Sequence, residues 1–220
     1  MPVKDNLEAL FREIPSCVKI VAVSKTHPVE RIKEAYVAGQ RLFGENKVQE
    51  MIAKQPLLPD GIEWHFIGHL QTNKVKYIAP FVKLIQSIDS LKLLMEIDKE
   101  AGRNKRVIDC LLEMFIATEE TKFGLDLDEA RVILSSPVFS TLKNIRIAGV
   151  MGMASFTPDE KQVRNEFRLL TQYFYTLQSE YFSNDKDFHE ISMGMSGDYK
   201  IALEEGSTIV RIGTAIFGGR

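Results

Sequence analysis

Two cysteines and four histidines are all that this 220-residue chain holds of the two residue types that most often build zinc and redox sites, and it has a single tryptophan. Cys17 and Cys110 lie far apart and form no CxxC pair, which argues against a disulfide framework or a zinc site and for a reducing, cytoplasmic setting. No apolar run approaches the ~18 residues that a spanning helix needs, and the charged start MPVKDNLEALFREIP lacks a signal-peptide core. No excess of either charge sign is present. Twenty-eight basic residues against 30 acidic ones leave a formal charge of −2, which argues against a broad electrostatic footprint for nucleic acid. Neither an internal repeat nor a low-complexity linker interrupts the chain, so a single domain over residues 1–220 is expected, as a soluble protein with no membrane segment.

What is present is an alternation. Short apolar, β-branched runs are read as strands at Lys19–Ser24, Arg41–Phe43, Glu63–Ile67, Leu84–Ser87, Ile108–Ile116, Ile145–Val150, His189–Ile191 and Thr208–Ile212. Helical patterns separate them at Val29–Ala38, Lys47–Lys54, Asn73–Ile78, Ser90–Ala101, Asp126–Leu134, Asp159–Tyr181 and Asp198–Glu205. The longest carries Val163, Phe167, Leu170, Phe174, Leu177 and Tyr181 on one stripe, with Thr157 expected as its N-cap ahead of Pro158. Gly39 and Gly102 read as C-terminal stops of their helices.

Eight strands in βα alternation predict a parallel sheet with helices outside, and a compact (β/α)8 barrel fits the count. A doubly wound sheet would place a glycine-rich turn after its first strand. Here that turn is Lys25-Thr26-His27-Pro28, so the barrel is preferred. With Arg220 closely following the eighth strand, no eighth outer helix is expected, and a helix at about Asp5–Glu13 is assigned to cover the gap.

In such a barrel chemistry gathers at the C-terminal ends of the strands, and phosphates sit on the loops after strands seven and eight. Lys25 ends strand one. Ser192-Met193-Gly194-Met195-Ser196-Gly197 follows strand seven, and Gly213-Thr214 end strand eight behind Arg211. Barrel closure makes Lys25 and Arg211 neighbours. An amine, a small-residue anion cradle and a positioned cation are what holds pyridoxal 5′-phosphate (PLP) as a Schiff base on a lysine. A cofactor-free Schiff-base aldolase acting on a sugar phosphate uses similar parts and stays open at this point.

The segments Val21-Ala-Val-Ser-Lys-Thr26, Phe43-Gly-Glu-Asn46, Trp64-His-Phe-Ile-Gly-His-Leu-Gln71, Lys122-Phe-Gly124, Ser192-Met-Gly-Met-Ser196 and Val210-Arg-Ile-Gly-Thr-Ala-Ile-Phe-Gly218 resemble the PLP homeostasis protein family. That family is similar to the barrel domain of bacterial alanine racemase standing alone. The resemblance implies a PLP-binding (β/α)8 barrel with Lys25 as the Schiff-base lysine. It also implies that Ser196, Gly213 and Thr214 hold the phosphate, that Arg211 faces the pyridine nitrogen, and that Asn46 and His65 line the ring pocket. Asn46 has an alternative reading as the cap of the helix at Lys47.

An arginine opposite the pyridine nitrogen leaves that nitrogen unprotonated and makes the ring a weak electron sink. Two-base racemisation needs an acid or base on each face of the substrate. In alanine racemase the second is a tyrosine of another domain, expected to be missing here. The expected role is therefore a PLP carrier in vitamin B6 homeostasis, with PLP-dependent apo-enzymes as acceptors and a monomeric state. A PLP enzyme with weak amino-acid racemase activity is the alternative. His65 and His69 lack a glutamate beside them and are not assigned a metal. His69 reads as a loop hydrogen-bonder, Met153 and Met195 as residues of the pocket mouth, and Glu119, Glu120 and Asp128 as an acidic rim.

Overall fold

The structure, a computed structural model, describes residues 2–118 and 124–219. Eight parallel strands close into a barrel in sequence order: β1 (Lys19–Val23), β2 (Leu42–Glu45), β3 (Glu63–Phe66), β4 (Leu84–Ile88), β5 (Ile108–Met114), β6 (Ile145–Gly152), β7 (Glu190–Met195) and β8 (Ile209–Ile212). Closure is made by β1 on β8, with Lys19 opposite Ile209 and Val21 opposite Arg211. Helices α1 (Val3–Glu13), α2 (Val29–Val37), α3 (Val48–Lys54), α4 (Val75–Ile78), α5 (Leu91–Arg103), α6 (Leu127–Leu134), α7 (Glu160–Tyr181), α8 (Tyr199–Glu204) and α9 (Thr214–Phe217) surround it. Among the described residues no helix is long and apolar enough to cross a membrane. Lys122 and Phe123 of the KFG motif, with Glu119 and Glu120, lie outside the described residues.

Two apolar zones hold the barrel. The larger lies between strands and helices, where Phe43, Phe66, Phe167 and Phe188 are fully buried. The smaller fills the barrel interior with Val21, Leu84, Leu111, Ala148, Met151 and Ile209. Ala148 and Met151 share that interior although they are three apart, because β6 bulges where Cys110–Leu111 of β5 faces Ile147 and Gly149. Gly149 has φ +151, and a Cβ there would lie 1.9 Å from the Glu190 carbonyl oxygen, so the bulge requires glycine.

Four sequence expectations are corrected. The strand ends β2 and β7 run on to Glu45 and Met195, because the parallel ladder continues through small or polar residues that lack a strand signature. A short helix, α9, does follow the eighth strand, and α1 packs on both α2 and α9, with Asn6 Nδ2 donating to the Ile216 carbonyl at 2.9 Å. Asp159, not Thr157, caps α7 by accepting from the Lys161 and Gln162 amides. Gly102 lies inside α5, whose cap is Asn104. A Cβ at Gly102 would meet the end of the Asn144 side chain at 2.9 Å, so this glycine lies against that residue inside the helix.

Candidate cofactor site

β1 runs out at Val23, and the chain turns at once. The His27 amide donates to the Ser24 carbonyl at 3.1 Å, and Thr26 holds φ +67, a left-handed conformation unusual for a β-branched residue. The residues that enforce this turn come from β2 and α3. Lys54 Nζ, only 7% exposed, donates to the Ser24 carbonyl at 2.8 Å, to Glu45 Oε1 at 2.8 Å and to Glu50 Oε1 at 2.6 Å. Glu50 in turn accepts the Thr26 amide, and Ser24 Oγ donates to Glu45 Oε1. A buried ammonium between two carboxylates thus grips the backbone on both sides of Lys25 and aims its side chain over the barrel mouth. Burial raises the Glu45 carboxyl, offset only in part by Lys54 and Ser24. For Glu50 burial acts upward too, but the Lys54 and Thr26 hydrogen bonds outweigh it and hold the group low.

At that mouth lies a cavity of about 290 Å³ lined by Lys25, Asn46, Ser196, Arg211, Gly213 and Thr214, with Val23, Ile67, Met153, Phe156, Met195 and Asp198 among its walls. Six of the seven sequence-selected residues therefore meet in one place. His65 does not line this cavity. It sits deeper, 3% exposed inside the barrel, with Nδ1 at 3.0 Å from Gln86 Nε2, and it faces a second cavity at the opposite mouth. That lower opening is ringed by ion pairs, including Lys19–Glu190 and Arg146–Asp109. His69 pairs with Asp89 at 3.3 Å on a loop, and His189 pairs with Glu190 at the lower mouth.

The floor of the upper cavity is a buried, hydrogen-bonded cation. The Arg211 guanidinium, 4% exposed, donates to Ser192 Oγ at 2.6 Å and to the Gly152 carbonyl at 2.9 Å. Burial lowers its pKa to about 10 against the pull of Asp198 and Glu113, so it stays charged at neutral pH. Beside it, burial raises the Glu113 carboxyl to about 7, with Arg211 opposing and Asp89 adding to the rise. Strand periodicity alone does not single out Gln86, Glu113 or Ser192. The available signal was their polarity at inward positions of strands that otherwise alternate with apolar residues.

The wall between β7 and β8 suits an anion. Ser196 Oγ accepts from the Gly213 amide at 3.2 Å and from the Ala215 amide at 3.3 Å, standing where a phosphate oxygen can take the same donors. Gly194, at φ +93, lets β7 approach α8, since a Cβ there would lie 2.6 Å from that of Ala202. Asn46 caps nothing. α3 begins at Val48 behind Lys47 with no side-chain cap, and Asn46 Oδ1 is buried without a hydrogen-bond partner. Gly68 permits this placement, because a Cβ there would come within 2.4 Å of the Asn46 carbonyl oxygen. A buried acceptor with no donor at the cavity wall is what a ligand bearing a hydroxyl or N–H completes. The donor set thus fits PLP: an amine for its aldehyde, amides and hydroxyls for its phosphate, a guanidinium for its ring nitrogen.

Comparison with known proteins agrees with this geometry. The family described as alanine racemase, N-terminal domain, matches residues 2–220. The pyridoxal phosphate homeostasis protein of Aquifex aeolicus is 42% identical over 206 residues, covering 93% of this chain and 88% of that protein. PipY of Synechococcus elongatus, solved without PLP, superposes with a TM-score of 0.91 at 36% identity, covering 98% of this chain and 100% of that one. Its PLP-bound structure gives 0.88 at 35% identity with the same coverage. With its closed barrel, its barrel-mouth lysine and relatives matched over nearly their whole length, this chain belongs to the pyridoxal phosphate homeostasis proteins of the alanine racemase N-terminal domain family.

Proposed function

We propose that this chain binds PLP in the upper cavity and holds it reversibly on Lys25, serving vitamin B6 homeostasis as a carrier or buffer. The observation that carries the reading is convergence. Lys25, Arg211, Asn46 and the Ser196–Gly213–Thr214 cradle reach one cavity from strands 1, 2, 7 and 8. The relative solved with PLP bound supports the cofactor.

PLP supplies a reactive aldehyde and a dianionic phosphate. The Lys25 amine adds to the aldehyde carbon, a C=N bond replaces C=O, and the oxygen leaves as water. The reverse reaction releases the cofactor, which suits a buffer handing PLP to apo-enzymes. Arg211 is an obligate donor, so it meets the ring nitrogen in its unprotonated form and leaves the ring a weak electron sink. Lys25 supplies a base for one face of an amino-acid substrate. No tyrosine or histidine among the described residues lines the cavity, and its carboxylate, Asp198, accepts the Met195 amide at 2.5 Å. This arrangement favours a carrier over a racemase. His65 belongs to the support beneath the ring. A monomer in the cytoplasm, with no nucleic-acid partner, completes the proposal.

Titration with PLP tests it. A visible absorbance band is expected in the wild type and absent in Lys25→Ala, with no measurable interconversion of alanine enantiomers by the loaded protein. Steady racemisation that depends on Lys25 would instead establish an enzyme.

A further inference from the structure

Below the cavity, a line of buried polar side chains crosses the apolar barrel interior. Arg211 Nη1 donates to Ser192 Oγ at 2.6 Å, Ser192 Oγ donates to Gln86 Oε1 at 2.6 Å, and Gln86 Nε2 lies 3.0 Å from His65 Nδ1. All four residues are 4% exposed or less. They come from β8, β7, β4 and β3, so the line is a product of barrel closure and follows no local motif.

We propose that Gln86 is a positioning residue for the cofactor site, which through Ser192 fixes the Arg211 guanidinium and at the same time fixes His65 as its Nε2–H tautomer. The proposal rests on the reading of Arg211 as the partner of the pyridine nitrogen.

The polarity of the line follows from chemistry. Arginine has donors only. Ser192 must therefore accept from Arg211 and pass its own proton onward, and the acceptor within reach is an amide oxygen. With Gln86 Oε1 committed to Ser192, its NH2 group faces the imidazole. Nδ1 must then be the acceptor, which leaves the proton of a neutral ring on Nε2. An amide is the side chain that accepts at one end and donates at the other, so leucine or glutamate at position 86 is not equivalent. Burial supports the neutral ring, pushing the His65 pKa down to about 3, with the charges of Lys19 and Lys83 adding to the effect. His65 also borders the lower cavity, so the line reaches from the cofactor end of the barrel to the opposite mouth.

Two readouts test this. In the free, 15N-labelled protein, His65 is expected to show an unprotonated Nδ1 and a protonated Nε2. Gln86→Glu, once its carboxyl is ionised, offers acceptors only and is expected to move a proton onto Nδ1. A wild-type ring carrying its proton on Nδ1, or an unchanged ring in Gln86→Glu at a pH where 13C shifts show that carboxyl ionised, overturns the proposal without any cofactor present. In the loaded protein, Ser192→Ala and Gln86→Leu are each expected to weaken PLP binding roughly tenfold, the loss of one hydrogen bond to a charged group. Both are also expected to shift the resonance of a 15N-labelled pyridine nitrogen. Wild-type affinity and an unmoved ring resonance in Ser192→Ala contradict the proposal, even if Gln86→Leu fails to fold. Failure of the wild type itself to take up PLP would overturn the proposed function, and the free-protein spectrum would still decide the tautomer.

Discussion

Asn46 shows how a single residue can point to a ligand through what it lacks. Asn46 Oδ1 is buried without a partner, a condition that costs stability in the free protein. Asn46→Leu is therefore expected to leave thermal stability equal to or above the wild type while weakening PLP binding roughly tenfold, measured by denaturation and by titration. A fall in both would assign Asn46 to the scaffold. Glu113 carries a raised pKa, about 7 against an ordinary 4.5. Between those values the folded chain keeps a proton that the unfolded chain has released. Its contribution is full below about 4.5 and is lost as pH rises through about 7. The stability of the wild type relative to Glu113→Gln should accordingly fall between pH 5 and pH 8, followed by urea denaturation at each pH. His65 works with the opposite sign, losing stability as pH falls below about 6.5, since its folded pKa is near 3. The variant pair isolates one from the other.

At the scale of elements, the turn after β1 depends on α3. Ser24, Lys25 and Thr26 read in sequence as a strand end, and Lys25 stood out there because a barrel gathers its chemistry at the ends of its strands. The grip on that turn was not legible. Glu45, Glu50 and Lys54 look like ordinary helix-and-loop charges until the fold buries Glu45 completely and Lys54 nearly so. Removing the cation strands a buried carboxylate. Lys54→Met is expected to cost about 3 kcal/mol in denaturation experiments, with part of the loss recovered in the double variant with Glu45→Gln. The loosened turn should also slow trapping of PLP at Lys25. His65 illustrates the converse. Its motif suggested the ring pocket, yet an inward strand position one layer lower places it beneath Arg211, a depth that spacing along one strand does not reveal.

For the whole molecule, the barrel was legible because eight strands alternate with helices throughout and because the turn after the first strand has no glycine. Bulges were not legible, since they arise from register between strands, as at Gly149 and in β7 before Met195. Helix α1 packs on α2 and α9, and its Val3, Leu7 and Leu10, together with Ile14 beyond it, are buried. Deleting residues 2–14 is expected to lower stability by at least about 3 kcal/mol, because burial of one such side chain contributes about 1.5–3 kcal/mol. Unchanged stability on deletion would show that the barrel holds without it.

Lys25 is the one amine proposed to hold PLP in this fold. Borohydride reduction of the PLP-loaded protein followed by peptide mass mapping tests it directly. A single reduced pyridoxyl adduct on Lys25, lost in Lys25→Ala, is expected. An adduct confined to another lysine, or none, would contradict it.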